Sequence, residues 1–391
     1  MMEHSPLGAS GASRWMNCPG SVRLSESVDK GGDSEYAKEG TAAHALASEC
    51  LVQHTEPWQY IGQEFEEFTV NKEMSDAVSV YTTAITDMHR QYKNNSISML
   101  VADEEMEYIE QRFHCPLIHK SFFGTTDYAK VEGDTLYVWD YKHGRGVIVE
   151  VQNNPQIMYY AAGVLESAKL WQDSNINKVV LHIVQPRAPH SSGPVRSWGI
   201  SKKDLVNWLD ETLVPAMNLT ATSDKLKSGE HCRFCPVVSK SCPEILSNVD
   251  EVEETMAKKI EELSNADVSR FLKLAKTVKL AISNAEKTAY ARLEKGQKIE
   301  GYKLVNAKSN RKWRDEAEAA LEEKFGDRAF KEVELKSPAE IEKMSGGKAL
   351  AKEFAFKPPT GLKVGEDSDA RPAVNKDTKS LFKPTSKKGR K

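Results

Sequence analysis

Two acids and an amine stand close together near the middle of the chain. Gly124-Thr-Thr-Asp127 is followed by Asp140-Tyr-Lys142. Asp140 and Lys142 are two residues apart, so on a β-strand they project from one face. Paired carboxylates offer hard oxygen ligands for Mg²⁺ or Mn²⁺, and a bound ion of that kind activates water and stabilises charge on a phosphate. An amine beside them orients or deprotonates the nucleophile, or neutralises the phosphate. The chemistry that suits these residue types is metal-assisted phosphodiester hydrolysis. Asp-x-Lys alone equally describes a hairpin with solvent-facing charges. The flanks favour the chemical reading: Gly124 permits close backbone approach ahead of Asp127, and Leu136, Val138 and Trp139 bury the strand that carries Asp140. Gln156 and Tyr160 are spaced i, i+4 and share one face of a following helix. His44, in Gly40-Thr-Ala-Ala-His44, would add an imidazole ligand, although a lone helical histidine is as a rule structural or exposed. Glu39 and Glu49 are weaker candidates for nearby roles.

A second constellation is built from thiols. Cys232-Arg-Phe-Cys235 followed by Cys242 gives C-x2-C-x6-C, and three clustered thiolates need a fourth ligand to close a tetrahedral zinc site or a cubane cluster. Cys18, between Trp15 and Pro19, is the best remaining candidate, with His231 as a rival for zinc. Ligand softness admits both metals. Cys50 and Cys115 read as small apolar packing groups. With Cys18 included, the clasp closes a large loop, and its loss would cost folding.

These groups must be positioned by an alternation of helices and strands. Glu39-Gly40-Thr41 opens a helix with Thr41 as the expected N-cap, and a second helix runs from about Met74 to Tyr92. The period then changes to two over 105–113 and Ser121–Lys130, and the turn Glu132-Gly133-Asp134 leads into Thr135–Lys142, a hairpin with Asp127 and Asp140 near its strand ends. A helix over 155–172 precedes the apolar strand Lys178–Gln185, stopped by Pro186. The order αβββαβ predicts a mixed sheet flanked by helices, an α/β (α+β mixed sheet) class. Further helices are expected over 202–219 and from Asn265 to Lys295, the latter ended by Gly296. Residues 301–345 read as a small α+β piece with a capping box at Ser337-Pro-Ala-Glu340. The expected organisation is a domain over 1–245 closed by the cysteines, a helical extension over 246–300, a C-terminal α+β piece over 301–356 and a disordered basic tail over 357–391.

At 391 residues, 39% hydrophobic and 28% charged, the composition excludes collagen-like, mucin-like and wholly disordered chains. A cytoplasmic location is expected, since no apolar run is long enough to span a bilayer and the first residues lack a signal-peptide pattern. The formal net charge of −3 gives no global attraction to nucleic acid, but Lys376, Lys379, Lys383, Lys387, Lys388, Arg390 and Lys391 face only Asp377 in the last stretch. That segment reads as a salt-sensitive phosphate-binding tail or as a flexible solubilising end. No G-x-x-x-x-G-K-[ST] occurs, so the sequence carries no P-loop motor, and no G-x-S-x-G elbow is present.

Taken together, Ser13…Cys18-Pro19, Gly40-Thr-x-x-His44, Gly124-x-x-Asp127, Asp140-x-Lys142, Gln156-x-x-x-Tyr160 and C-x2-C-x6-C resemble the PD-(D/E)XK nuclease superfamily. The likeness is to its RecB/AddB-like exonucleases with an iron–sulfur clasp, a group that includes CRISPR-associated single-strand exonucleases. The motifs occur in the family's order over about residues 10–245. No proline precedes Asp127, where the superfamily's name places one, and residues 300–391 fall outside the pattern. The whole chain also looks like an uncharacterised phage and prophage family of replication and recombination modules. The resemblance implies a restriction-endonuclease-like core and His44, Asp127 and Asp140 as ligands of Mg²⁺ or Mn²⁺, with the Tyr141 carbonyl nearby. It implies Lys142 as the catalytic lysine, Gln156 and Tyr160 as substrate-positioning or supporting groups, and a [4Fe–4S] cluster on Cys18, Cys232, Cys235 and Cys242, with zinc as the alternative. The expected function is a metal-dependent DNA exonuclease acting at single- or double-stranded ends, with a phage annealing or single-strand-binding protein as a further partner. The rival readings are a non-catalytic DNA-binding protein and a zinc-stabilised scaffold.

Overall fold

The computed structural model describes residues 5–28, 35–95, 106–173, 175–240, 242–256, 260–306, 312–314, 317–331, 334–344, 346–356, 362–366, 372 and 374. It divides into two compact units, Met1–Val278 and Lys279–Lys391.

The first unit begins with two short helices, α1 (Ala12–Asn17) and α2 (Ser21–Glu26), then α3 (Glu35–Gln53). A two-stranded ribbon of β1 (Glu64–Phe65) and β2 (Phe68–Thr69) leads to α4 (Lys72–Asn95). Next come β3 (Glu107–His114), β4 (Phe123–Glu132), β5 (Thr135–Tyr141), α5 (Pro155–Ser167), β6 (Lys178–Val184) and β7 (Val195–Ser201). Helices α6 (Lys202–Trp208) and α7 (Val214–Thr222), joined by a π-turn, precede α8 (Pro243–Met256) and the first part of α9 (Asn265–Glu294). The sheet order is β3-β4-β5-β6-β7, and every pairing is antiparallel except β5 with β6, which α5 connects. The α/β class and the αβββαβ order are as the sequence implied.

Side-chain alternation makes two cores from one sheet. Tyr128, Trp139, Tyr141 and Val184 pack against Leu46 of α3 and Met74, Val78, Tyr81 and Ile85 of α4. Ala129, Leu136, Val138, Val179, Leu181 and Ile183 face the other way, against Ile157, Met158, Ala161, Val164 and Leu165 of α5. Strands buried on both faces explain the near-continuous apolar run of β6. The hairpin turn lies at the expected place, with Gly133 at φ 59°, the left-handed geometry that a two-residue loop demands.

Several expectations need correction. Helix α3 starts at Glu35, so Thr41 is interior and not an N-cap; its hydroxyl donates to the Ala37 carbonyl one turn back. Asp127 lies mid-strand in β4, because that strand begins at Phe123 and continues to Glu132. Gly124 approaches Phe113 and Tyr159, so its lack of a side chain serves core packing. Strand β7 and the β1–β2 ribbon carry no strong apolar alternation and were not expected.

The boundary near residue 245 is also displaced. Arg270 of α9 pairs with Glu251 of α8, and Lys276 reaches Glu230 at 3.4 Å, so 246–278 is tied to the first unit. The second unit contains the rest of α9, then β8 (Tyr302–Asn306), β9 (Lys312–Trp313), α10 (Ala317–Phe325), β10 (Phe330–Lys331), β11 (Glu334–Leu335), α11 (Pro338–Ile341), α12 (Gly347–Phe354), β12 (Ala355–Phe356) and β13 (Leu362–Glu366). Gly296, at φ 76°, follows the end of α9, and the capping box at Ser337 and Glu340 forms as expected. Residues beyond 357 are not all irregular: β13 pairs antiparallel with β8 from Leu362↔Asn306 to Glu366↔Tyr302. The basic run from Lys376 to Lys391 lies outside the described residues.

Candidate active site at a fork in the sheet

The β4–β5 ladder stops at Tyr128↔Trp139, while β4 remains paired to β3 as far as Phe123 and β5 to β6 as far as Tyr141. The two strands therefore part. The next opposed residues are Asp127 and Asp140, one on each prong. Asp127 closes the fork with its side chain: its Oδ2 accepts the Tyr141 N–H at 2.8 Å, where a backbone carbonyl would sit in an unbroken ladder. Tyr141 thus contributes its N–H to the fork.

Groups reach this fork from both faces of the sheet. From α3, His44 places Nδ1 3.5 Å from Asp127 Oδ2, with its ring edge-on to Tyr141 at 5.4 Å. From α5, Gln156 and Tyr160 arrive on one helical face. Lys142 Nζ lies 2.9 Å from Asp140 Oδ2 and donates to Gln156 Oε1 at 3.0 Å. The Gln156 amide donates to the Tyr160 hydroxyl at 3.2 Å and to Asp140 Oδ1 at 3.4 Å. Asn154 caps α5 by accepting the Gln156 N–H, which fixes the first turn and hence the amide. All six side chains selected from the sequence meet here, with Asp140 only 2% exposed.

Burial and mutual charge set the electrostatics. Burial raises the Asp140 carboxyl to about 6, with Lys142 opposing the shift and Asp127 adding to it. Burial likewise raises Asp127, against the pull of His44. Burial works to lower His44, but the Asp127 charge and a hydrogen bond donated to Glu110 overcome it and lift the imidazole to about 9. The fork is a place where charge is costly, a common property of functional sites.

Glu110 was not selected from the sequence, yet Nδ1 of His44 lies 3.8 Å from its Oε1. Ligand atoms of His44, Glu110 and Asp127 all fall within 4.8 Å of one another. One acid in the strand-like run 107–114 gives no local signal, because only pairing with β4 brings it opposite Asp127. Glu39 works elsewhere: it faces His143 Nε2 at 3.3 Å and Arg187 at 2.9 Å. Glu49 is not among the groups that close on His44.

The thiols converge separately. Cys18, Cys232, Cys235 and Cys242 line one cavity together with Arg14 and His231. The Lys227 N–H donates to Cys18 Sγ and the Gly229 N–H to Cys232 Sγ, each at 3.4 Å. Gly20 donates its N–H to the Lys225 carbonyl at 3.0 Å, and a Cβ there would meet the Asp224 carbonyl oxygen at 2.5 Å. Only glycine lets the two segments approach so closely. Cys50 and Cys115 are buried in apolar clusters, as the sequence suggested, and burial pushes their thiols up to about 11 and about 12.

Residues 4–372 match the model of a family described as Protein of unknown function (DUF2800). Among solved structures, the crystal structure of SSO0001 matches over 58% of this chain and 95% of that chain, at 13% identity and a TM-score of 0.22. That likeness is too distant to carry function across. No described helix is long and apolar enough to cross a membrane.

Proposed function

The chain belongs to the DUF2800 family, and from the pocket at the strand fork we propose that it is a metal-dependent DNA exonuclease of the PD-(D/E)XK, RecB-like kind. One observation carries this reading: the His44–Asp127 pair and the linked side chains of Asp140, Lys142, Gln156 and Tyr160 meet at one fork, joined through the Tyr141 N–H on Asp127. A structural cluster has no need to bury two acids and leave them opposed across a gap in a sheet.

The donor set fits a hard divalent cation, with carboxylate oxygens and one imidazole nitrogen reachable from solvent. A bound Mg²⁺ or Mn²⁺ supplies a water of lowered pKa and stabilises charge on the phosphate. The chain's own groups do the rest. Asp140 and Gln156 hold Lys142, whose side chain is 23% exposed, with its ammonium at the pocket. From there Lys142 faces a phosphate oxygen or an attacking water, and Tyr160 keeps the Gln156 amide oriented.

The cysteine cavity fits a bound metal group, since four thiols from two distant segments line it together. The group such a site would hold is a [4Fe–4S] cluster on Cys18, Cys232, Cys235 and Cys242, acting as a clasp and not as a reactant, with zinc as the alternative.

End-labelled single- and double-stranded DNA, incubated with anaerobically purified protein with and without Mn²⁺, tests the proposal. Degradation that requires the ion and is lost in Asp140→Ala and Lys142→Ala is expected. Full activity in either folded variant refutes the site. DNA binding without cleavage in the presence of metal supports the non-catalytic reading instead.

A further inference from the structure

The fork contains one carboxylate that the proposed reaction has not used. In β3, Ile109 pairs with Tyr128 and Gln111 with Thr126, so Glu110 stands across from Asp127 where the ladder skips a pair. Its φ is 45°, the left-handed region that a residue with a Cβ enters only when its surroundings enforce it. Such strain inside a strand marks a side chain held for a purpose. The carboxylate is aimed at His44 and Asp127, and the three ligand atoms close to within 4.8 Å. Asp140 is engaged differently, bonded to Lys142 at 2.9 Å and reached by Gln156. The side chains of His44, Glu110 and Asp127 are 32%, 35% and 13% exposed, so an ion can reach them from water.

We infer that Glu110 is a further ligand of the divalent cation, reaching it beside His44 and Asp127. This rests on the reading of the fork as a cation-dependent site and assigns its donor set. One imidazole nitrogen with two carboxylate oxygens suits Mn²⁺ and leaves positions for water and phosphate. The competing role for Glu110 is that of a counter-ion to a protonated His44. The two roles differ in their tolerance of Glu110→Asp: a counter-ion keeps its charge in that variant, whereas a ligand loses the reach that its bond to the ion needs.

The test is Mn²⁺ titration of the full-length, anaerobically purified protein without DNA, with free ion followed by electron paramagnetic resonance. Glu110→Gln is expected to raise the Kd by at least about tenfold. Glu110→Asp, a shorter arm with the same charge, should fall between wild type and Glu110→Gln. Circular dichroism melts establish folding, and if Glu110→Gln does not fold, Glu110→Asp decides alone. Wild-type affinity in either folded Glu110 variant overturns the inference. Wild-type protein that binds no Mn²⁺ sinks the cation-dependent reading itself. Binding by wild type with no effect at Glu110 sinks only this assignment.

Discussion

Replacing Asp140 by asparagine should make the protein more stable and inactive at once. The side chain is almost fully buried, and burial lifts its carboxyl from 3.8 to about 6. A folded pKa above the unfolded one means that this group favours folding below about pH 4. That contribution disappears as pH rises through 6. At pH 8 the ionised carboxylate costs the fold on the order of 3 kcal/mol relative to a neutral group. The Lys142 attraction at 2.9 Å is already contained in that shift, and asparagine still offers the ammonium an oxygen. Asp140→Asn should therefore gain roughly 1–3 kcal/mol at pH 8 and about a third of that at pH 4.5. Urea unfolding at both pH values, with chelator present, measures the difference. Metal-dependent DNA degradation should fall by more than about 10²-fold in the same variant. A variant less stable than wild type at pH 8, or one whose stability difference ignores pH, would refute the account of the buried acid. Undiminished degradation would refute its role in the site.

Other consequences are as direct. Cys235→Ser should remove absorbance near ~400 nm from anaerobic protein and lower the melting temperature, whereas colourless wild-type protein containing zinc would replace the cluster with the simpler metal. Gly163 of α5 lies under Phe113 of β3, and a Cβ there would meet the ring at 2.2 Å. Gly163→Ala should cost about 1–3 kcal/mol or more in urea unfolding, and a neutral result would contradict the packing of α5 on the sheet. His182 stacks on Trp139 at 3.7 Å, and burial lowers its pKa to about 4. The unfolded chain takes up that proton first, so wild-type stability should fade as pH drops from 6.5 towards 4, by as much as about 3 kcal/mol from this group. His182→Phe keeps the stack and should flatten that part of the profile in acid titrations.

How far the sequence disclosed this pocket depended on the distance over which each residue acts. Asp140 with Lys142, and Gln156 with Tyr160, are fixed by the periods of one strand and one helix, and both pairs lie where those periods put them. The hairpin was readable from Gly133 and its β-rich flanks, and β6 from its apolar run. Glu110 was not readable, because its meaning comes from the β3–β4 register and from a strained φ that no local pattern announces. The start of α3 was misplaced because Thr41 resembles a cap only while the preceding turn is ignored. Strand β7 alternates polar residues with partly covered ones along the sheet edge, so its character is set by β6 and not by its own composition.

The docking of Gly20 onto Lys225, with Cys18 facing the later thiols, also fixes a timetable. A ribosome adding roughly 5–20 residues per second must work for on the order of 10–40 s after Cys18 emerges before Cys242 follows it. Only for about the last 2–8 s of that interval, once Ser201 has emerged, does the five-stranded sheet have all its strands while its N-terminal strap has nothing to grip. The nascent chain thus passes through a stage with the fork assembled and the strap loose.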